Sequence, residues 1–143
     1  MDAEQRGIPA FSGLTMLVAQ AKRAAELFLN TNIDDRKNDE IYETLSRQMK
    51  NIVLVGMPGC GKSTVGKALA KRLSRPFFDA DQEIVKRAGK SIPEIFQTEG
   101  EAGFRKIETE VLFDLCRQSG AVIATGGGAV TVSKNHDILR QNS

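Results

Sequence analysis

The chain has 143 residues, 41% of them hydrophobic, with 20 Lys and Arg against 18 Asp and Glu, a net charge of +2, and two cysteines. One domain of ordinary size, able to bury a core without staples, is the expectation, and two cysteines at 60 and 116 read as reduced thiols rather than as a disulfide framework. No basic run interleaved with aromatics points to nucleic acid, and the most apolar early stretch, Leu14 to Leu29, is interrupted by Lys22, Arg23 and Glu26, which excludes a membrane span or signal core and implies a cytoplasmic protein.

Residues 1–11 read as irregular, with Gly7 and Pro9. From Ser12 or Thr15 onward, Leu14, Leu17, Val18, Ala21, Ala25 and Phe28 mark one face of a helix that ends near Asn30. The polar run Asn32 to Asn38 is a linker by composition. A second helix capped by Asn38 or Asp39 places Ile41, Leu45 and Met49 on one stripe.

Ile52-Val53-Leu54-Val55 is short, β-branched and uncharged, the pattern of a strand buried on both faces. It runs into Gly56-Met57-Pro58-Gly59-Cys60-Gly61-Lys62-Ser63-Thr64, followed by a helix with Val65, Ala68, Leu69 and Leu73 at helical spacing. A glycine-rich turn between strand and helix lets backbone N–H groups converge on an anion at the positive end of the helix. This spacing predicts a phosphate-binding loop formed by Gly59, Cys60, Gly61, Lys62, Ser63 and Thr64. Lys62 reaches the β- and γ-phosphates of a nucleotide, and Ser63 offers a hydroxyl to Mg²⁺. Cys60 is read as a small residue the loop tolerates.

Ser74-Arg75-Pro76 stops that helix, and Phe77 to Asp81 reads as a strand ending in two acids, followed by a helix from about Gln82 to Gly89. Asp79 and Asp81, one residue apart on an extended strand, would face the same side, one toward Mg²⁺ and one toward a substrate hydroxyl; a turn-initiating or helix-capping pair is the plain alternative. Ser91-Ile92-Pro93-Glu94 has the spacing of a capping box for a short helix ending at Gly100. Phe104, Ile107, Glu108, Val111, Leu112 and Leu115 then define a longer amphipathic helix stopped by Gly120. Arg105 falls in its first turn, where a cation is electrostatically misplaced; that hints at a carboxylate partner, a solvated arginine being the alternative. Ala121 to Ala124 is a third strand. Gly126-Gly127-Gly128 at its end could offer N–H groups to an anionic substrate or simply form a loose turn, and Ser133 caps a last helix bearing the surface residue His136.

Strands alternating with helices predict an α/β fold with a parallel sheet and right-handed crossovers. Ligands gather at the carboxyl ends of such strands, and the loop, the acid pair and the glycine triplet all lie there.

Taken together, the loop at 56–64, Phe78-Asp79-Ala80-Asp81, Ser91 to Phe96, Gly100-Glu101 with Phe104-Arg105 and Glu108, and Gly126 to Val130 resemble shikimate kinase in order and spacing over about residues 50–141. The resemblance implies a P-loop nucleoside monophosphate kinase-like sheet, incomplete, with an N-terminal helical extension. It implies transfer of the γ-phosphoryl group of ATP to the 3-hydroxyl of shikimate, with ATP and Mg²⁺ as cofactors. Lys62 would stabilise the transferring charge, and Ser63 with Asp79 would position Mg²⁺. Asp81 would bind substrate hydroxyls and orient or deprotonate the attacking one; Arg105, Gly127 and Gly128 would contact shikimate. A non-catalytic nucleotide-binding fragment, or another small-molecule kinase of the same fold, is the alternative.

Ser12 to Ala21 is similar to the C-terminal helix region of shikimate dehydrogenase, a likeness covering about residues 7–33, with Gln20 at the position that contacts shikimate there; a polar residue on a helix rim is the alternative. This divides the chain into a dehydrogenase-like remnant at 1–33, a junction at 34–50 and a partial kinase domain at 51–143. Kinases of this family continue with two more strands, an arginine-bearing lid and an adenine-binding segment, and this sequence stops before them. In the family's strand order, 2-3-1-4-5, the phosphate-loop strand is then left on an open edge that invites self-association. Activity is expected only where those parts are supplied by another chain.

Overall fold

A computed structural model describes residues 13–143; the expectations for residues 1–11 and for a cap at Ser12 lie outside them. The chain divides after Gln48 into two units. In the first, α1 (Gly13–Leu29) and α2 (Asp35–Met49) form a helical pair, with Val18 buried and Phe28 exposed rather than on the buried stripe. The Ile33 N–H donates to Glu26 Oε1 at 3.1 Å, and Lys22 pairs with Asp35. Helix α2 starts earlier than its composition suggests. Asp34 accepts from the Arg36 N–H at 3.1 Å and from Lys37 through its carbonyl, so it caps the helix, and the polar run beyond it becomes helical.

The second unit is built on three parallel strands, β1 (Ile52–Leu54), β2 (Phe77–Asp79) and β3 (Val122–Ala124), in the order β1-β3-β2. Val122, Ile123 and Ala124 on the central strand are 0–1% exposed, whereas β1 is half-buried and Val55 beyond it is 52% exposed. The strand before the phosphate loop lies at the sheet edge, as the family's strand order implies, and the uncharged run at 52–55 is only half-buried, not buried on both faces. After the loop, α3 (Lys62–Leu73) crosses to β2 and lies so close to the sheet that Gly66 and Ala70, not Val65 and Leu73, face it. A Cβ at Gly66 would meet Leu54 at 3.1 Å and collide with the Phe77 ring.

Helix α4 (Ala80–Ala88) begins two residues before the expected Gln82 and ends on the left-handed Gly89. In α5 (Ile92–Cys116), Glu94 reaches back to accept from the Ser91 N–H at 2.7 Å, as the capping box predicts. The two helices expected on either side of Gly100 are one element kinked there, at φ 71° and ψ −177°. The kink lets Phe96 and Phe104 stack at 4.6 Å between ring centroids. The core gathers Ile84, Ile95, Phe104, Leu112, Leu115 and Ile123, with α6 (Ser133–Arg140) closing it through Ile138 and Leu139. Val132, not Ser133, precedes that helix as its cap residue.

Asn51 ties the chain together at the amino ends of β1 and β3. Its side chain donates to Cys116 O at 3.1 Å and Gln118 O at 2.7 Å, and accepts from the Ala121 N–H at 2.9 Å. A buried amide with three partners satisfies its polar groups while holding the end of α5 to the start of β3.

Candidate active site

All three sequence signals meet at the carboxyl ends of the strands. The loop after β1 turns on Gly56, Gly59 and Gly61, whose φ values of 151°, 76° and 85° need a residue without a Cβ. Gly61 leads into α3, so the first amides of the helix open onto the loop. Lys62 folds back over it, donating from Nζ to Gly56 O and Met57 O, each at 2.8 Å. The Cys60 thiol is exposed, with Sγ 3.8 Å from Lys62 Nζ.

Ser63 Oγ donates to Asp79 Oδ2 at 2.5 Å, bringing the first residues of α3 to the end of β2. Asp79 also caps α4, its Oδ1 accepting from the N–H groups of Asp81 at 3.1 Å and Gln82 at 3.4 Å. Strand alternation therefore does not set the relation of the two acids. Asp79 ends the strand and Asp81 sits in the first turn of α4, so the helix-capping alternative describes Asp79 while Asp81 is turned toward Gly126. Burial pushes the Asp81 carboxyl above its usual range, and Asp79 adds to the rise while the Lys62 ammonium opposes it. Ser63 and Asp79 are oxygen donors of the hard kind that Mg²⁺ takes, and they stand side by side. Among the described residues no group of three His, Cys, Asp or Glu could hold a metal ion by itself.

Gly126, Gly127 and Gly128 are not a loose turn. None has a left-handed φ, and each is small because something presses on it. A Cβ on Gly126 would lie 2.8 Å from Asp81 Oδ1 and 3.1 Å from Glu108 Oε1. On Gly127 it would strike the Pro58 ring of the phosphate loop, and on Gly128 it would lie 2.7 Å from both terminal nitrogens of Arg105. The glycine turn thus touches the phosphate loop on one side and the Arg105 side chain on the other.

Arg105 stands in the second turn after the Gly100 kink, not the first. Its Nη1 donates to Glu108 Oε2 at 2.8 Å, and Glu101 lies 3.5 Å from Nη2. The carboxylate partner its position hinted at is therefore present within the chain, and the Glu108 hydrogen bond raises the arginine's pKa further. Glu108 is 1% exposed, and its Oε1 has no hydrogen-bond partner among the described residues. No separate role for Glu108 is legible in the sequence. Its spacing of three from Arg105 on an otherwise apolar stripe was the available signal.

The family model described as Shikimate kinase matches residues 58–143, which takes in every one of these side chains. This chain belongs to the shikimate kinase family. It is 54% identical to the shikimate kinase of Burkholderia lata over 92 residues, covering 64% of this chain and 50% of that protein. The shikimate kinase of Dechloromonas aromatica is 53% identical over 97 residues, covering 68% and 53%. Among solved structures, shikimate kinase from Acinetobacter baumannii in complex with shikimate matches at a TM-score of 0.66 and 47% identity, over 70% of this chain and 56% of that one. The Aquifex aeolicus shikimate kinase matches at 0.62 and 45%, over 65% and 55%. The second unit is therefore a P-loop kinase sheet with flanking helices, and the chain spans about half the length of the curated relatives it matches. No helix among the described residues is long and apolar enough to cross a membrane.

Proposed function

We propose that this chain carries the phosphate-binding and acceptor-binding half of an ATP-dependent shikimate kinase site. The observation that carries the reading is the meeting of Asp81, Glu108 and Arg105 around a glycine turn that itself rests on Pro58 of the phosphate loop. A donor phosphate and a carboxylated acceptor would thereby be held side by side, which is most of what phosphoryl transfer asks of a protein.

In this reading the amides of Gly59 to Thr64 take the nucleotide phosphates. Lys62 exchanges its two loop carbonyls for β- and γ-oxygens. Mg²⁺, held by Ser63 with Asp79, neutralises phosphate charge when bound. Arg105, kept in place by Glu108, pairs with the shikimate carboxylate, and the Gly127 and Gly128 backbone lies against the ring. Asp81 accepts the proton of the 3-hydroxyl as that oxygen bonds to the γ-phosphorus and ADP leaves; its raised pKa makes it a better base than an ordinary aspartate. We further read α1 as related to the C-terminal helix of shikimate dehydrogenase, on the pattern of Gly13 to Ala21 alone, with Gln20 exposed on its surface.

The test is shikimate-dependent ADP release by the full chain, alone and co-expressed with the half of the Burkholderia lata kinase that the match leaves out. Turnover is expected in the complemented sample and is abolished by Asp81→Asn, while Lys62→Ala removes ATP binding in a calorimetric titration. ADP release that ignores shikimate under both conditions sinks the reading.

A further inference from the structure

Burying a polar side chain costs free energy unless its groups find partners, so the places where a core keeps one are informative. Among the described residues four such side chains are buried: Asn51, Glu108, Thr125 and Asn135. Asn51 lies at the amino ends of the strands, and the other three surround the glycine turn. Thr125 begins it, its N–H and Oγ1 donating to Leu54 O at 3.0 and 3.1 Å. Glu108 faces Gly126 from α5. Asn135, on α6 and 0% exposed, holds the far end: its Nδ2 donates to Ala129 O at 2.9 Å, and its Oδ1 accepts from the Thr109 hydroxyl at 2.8 Å. Thr109 follows Glu108 on α5, so consecutive residues of one helix serve the two ends of the turn. Neighbouring carbonyls are held as well. Gly128 O accepts from the Thr131 N–H at 3.0 Å and its hydroxyl at 2.7 Å, and Val130 O accepts from His136 Nε2 at 2.6 Å.

We propose that Asn135, braced by Thr109, is a positioning residue for the acceptor side of the site, an inference that rests on the kinase reading above. Three consecutive glycines carry no side chains that could hold them, so the turn hangs between two anchors, Thr125 on β1 and Asn135 on α6. Its depth matters because the fit to Arg105 is close. A Cβ on Gly128 would lie 2.7 Å from both terminal nitrogens of the guanidinium, so guanidinium and glycine backbone address one carboxylate together only while the turn stays at that depth. Asn135 sets it. The carbonyl that it takes belongs to the residue directly after Gly128, and the hydroxyl that braces it belongs to the helix that carries Arg105. An apolar side chain could fill the same core space but could not fix the distance of the turn from α5. The phosphate loop has its own fastening, from Lys62 to Gly56 O and Met57 O, and does not hang on this amide. An amide that only stabilised the unit would affect both ligands alike, whereas a positioning amide separates them.

Calorimetric titration of the full chain with shikimate and with ATP and Mg²⁺, in the parent and in Thr109→Val, Thr109→Ser and Asn135→Leu, tests the proposal. Thr109→Val removes the brace at nearly constant shape, and should weaken shikimate binding about tenfold while ATP binding stays within about twofold. Thr109→Ser keeps the hydroxyl and should restore shikimate affinity to within about twofold of the parent. Asn135→Leu should cost more than Thr109→Val, and the milder variant decides the matter where Asn135→Leu does not fold. Amide exchange supplies the second readout. The Ala129 and Thr131 amides, which close the turn on Gly126 O and Gly128 O, should exchange about tenfold faster in Thr109→Val, with protection of the Ala121 amide showing that the unit is folded. Equal weakening of both ligands, unchanged exchange at Ala129 and Thr131, or a serine variant as damaged as the valine one would each overturn the proposal. A parent chain that takes ATP but no shikimate sinks the acceptor reading and this proposal with it, whereas a parent that takes both, with variants that alter neither, sinks this proposal alone.

Discussion

Two glycine clusters face each other at the strand ends, and they are glycine for different reasons. In the phosphate loop, Gly59 and Gly61 adopt left-handed φ with nothing within 4 Å of an added Cβ. In the turn after β3, Gly126 to Gly128 have no left-handed φ and no room. One cluster is selected by conformation and the other by space, so equal substitutions should fail differently.

The largest effect is expected from Arg105→Met. Removing the guanidinium leaves the carboxylate of Glu108 buried and unpaired, at a cost of about 3 kcal/mol in chemical denaturation, and Glu108→Gln in the same chain should restore much of it. The same background sharpens the contrast, since Gly128→Ala should cost distinctly less once the side chain that crowds it is gone. Next, Gly127→Ala should destabilise by about 1–3 kcal/mol, because a rigid proline ring cannot step aside, and should weaken ATP binding from outside the loop by displacing Pro58. Gly61→Ala should cost about 1–2 kcal/mol through φ alone, with no change in shikimate binding measured by titration.

The smallest effect concerns Asp81. Its folded-state pKa is raised, so the native protein holds the proton more tightly than the unfolded chain. Stability is then highest at low pH as far as this group is concerned, and declines as pH climbs from the ordinary carboxylate value of about 3.9 through the raised one. Asp81→Asn should flatten that decline in thermal melts taken across this window, raising the melting temperature at neutral pH while removing turnover. A variant that melts lower at neutral pH than the parent would contradict this sign.

The contrast between the clusters also explains what could be read from the residues alone. The phosphate loop is a local device: its glycines, Lys62 and Ser63 are consecutive, and the strand before and helix after announce its setting. The parallel α/β arrangement follows from the same alternation of periods. The glycine turn can be located from the residues but not explained by them, because its need for small residues comes from Asp81, Glu108, Pro58 and Arg105, which lie 18 to 69 positions away. Strand alternation puts Asp79 and Asp81 on one face, but helix α4 begins at Ala80, earlier than the apolar pattern reveals, with Asp79 as its cap. Strand β1 is less buried than its residues suggest for a related reason. An uncharged β-branched run describes the strand itself and carries no information about whether a neighbour stands on both sides.

Asn51 links residues that are 65 to 70 positions distant in the chain, from Cys116 to Ala121. Bringing them together means closing most of the sheet unit as a loop, an entropic cost repaid only when α5 has ended and β3 is in register. This amide is therefore a late fastener. The Ala121 N–H that it captures should open only when the entire unit unfolds, making its exchange rate a direct gauge of the unit's global stability, read at a single atom.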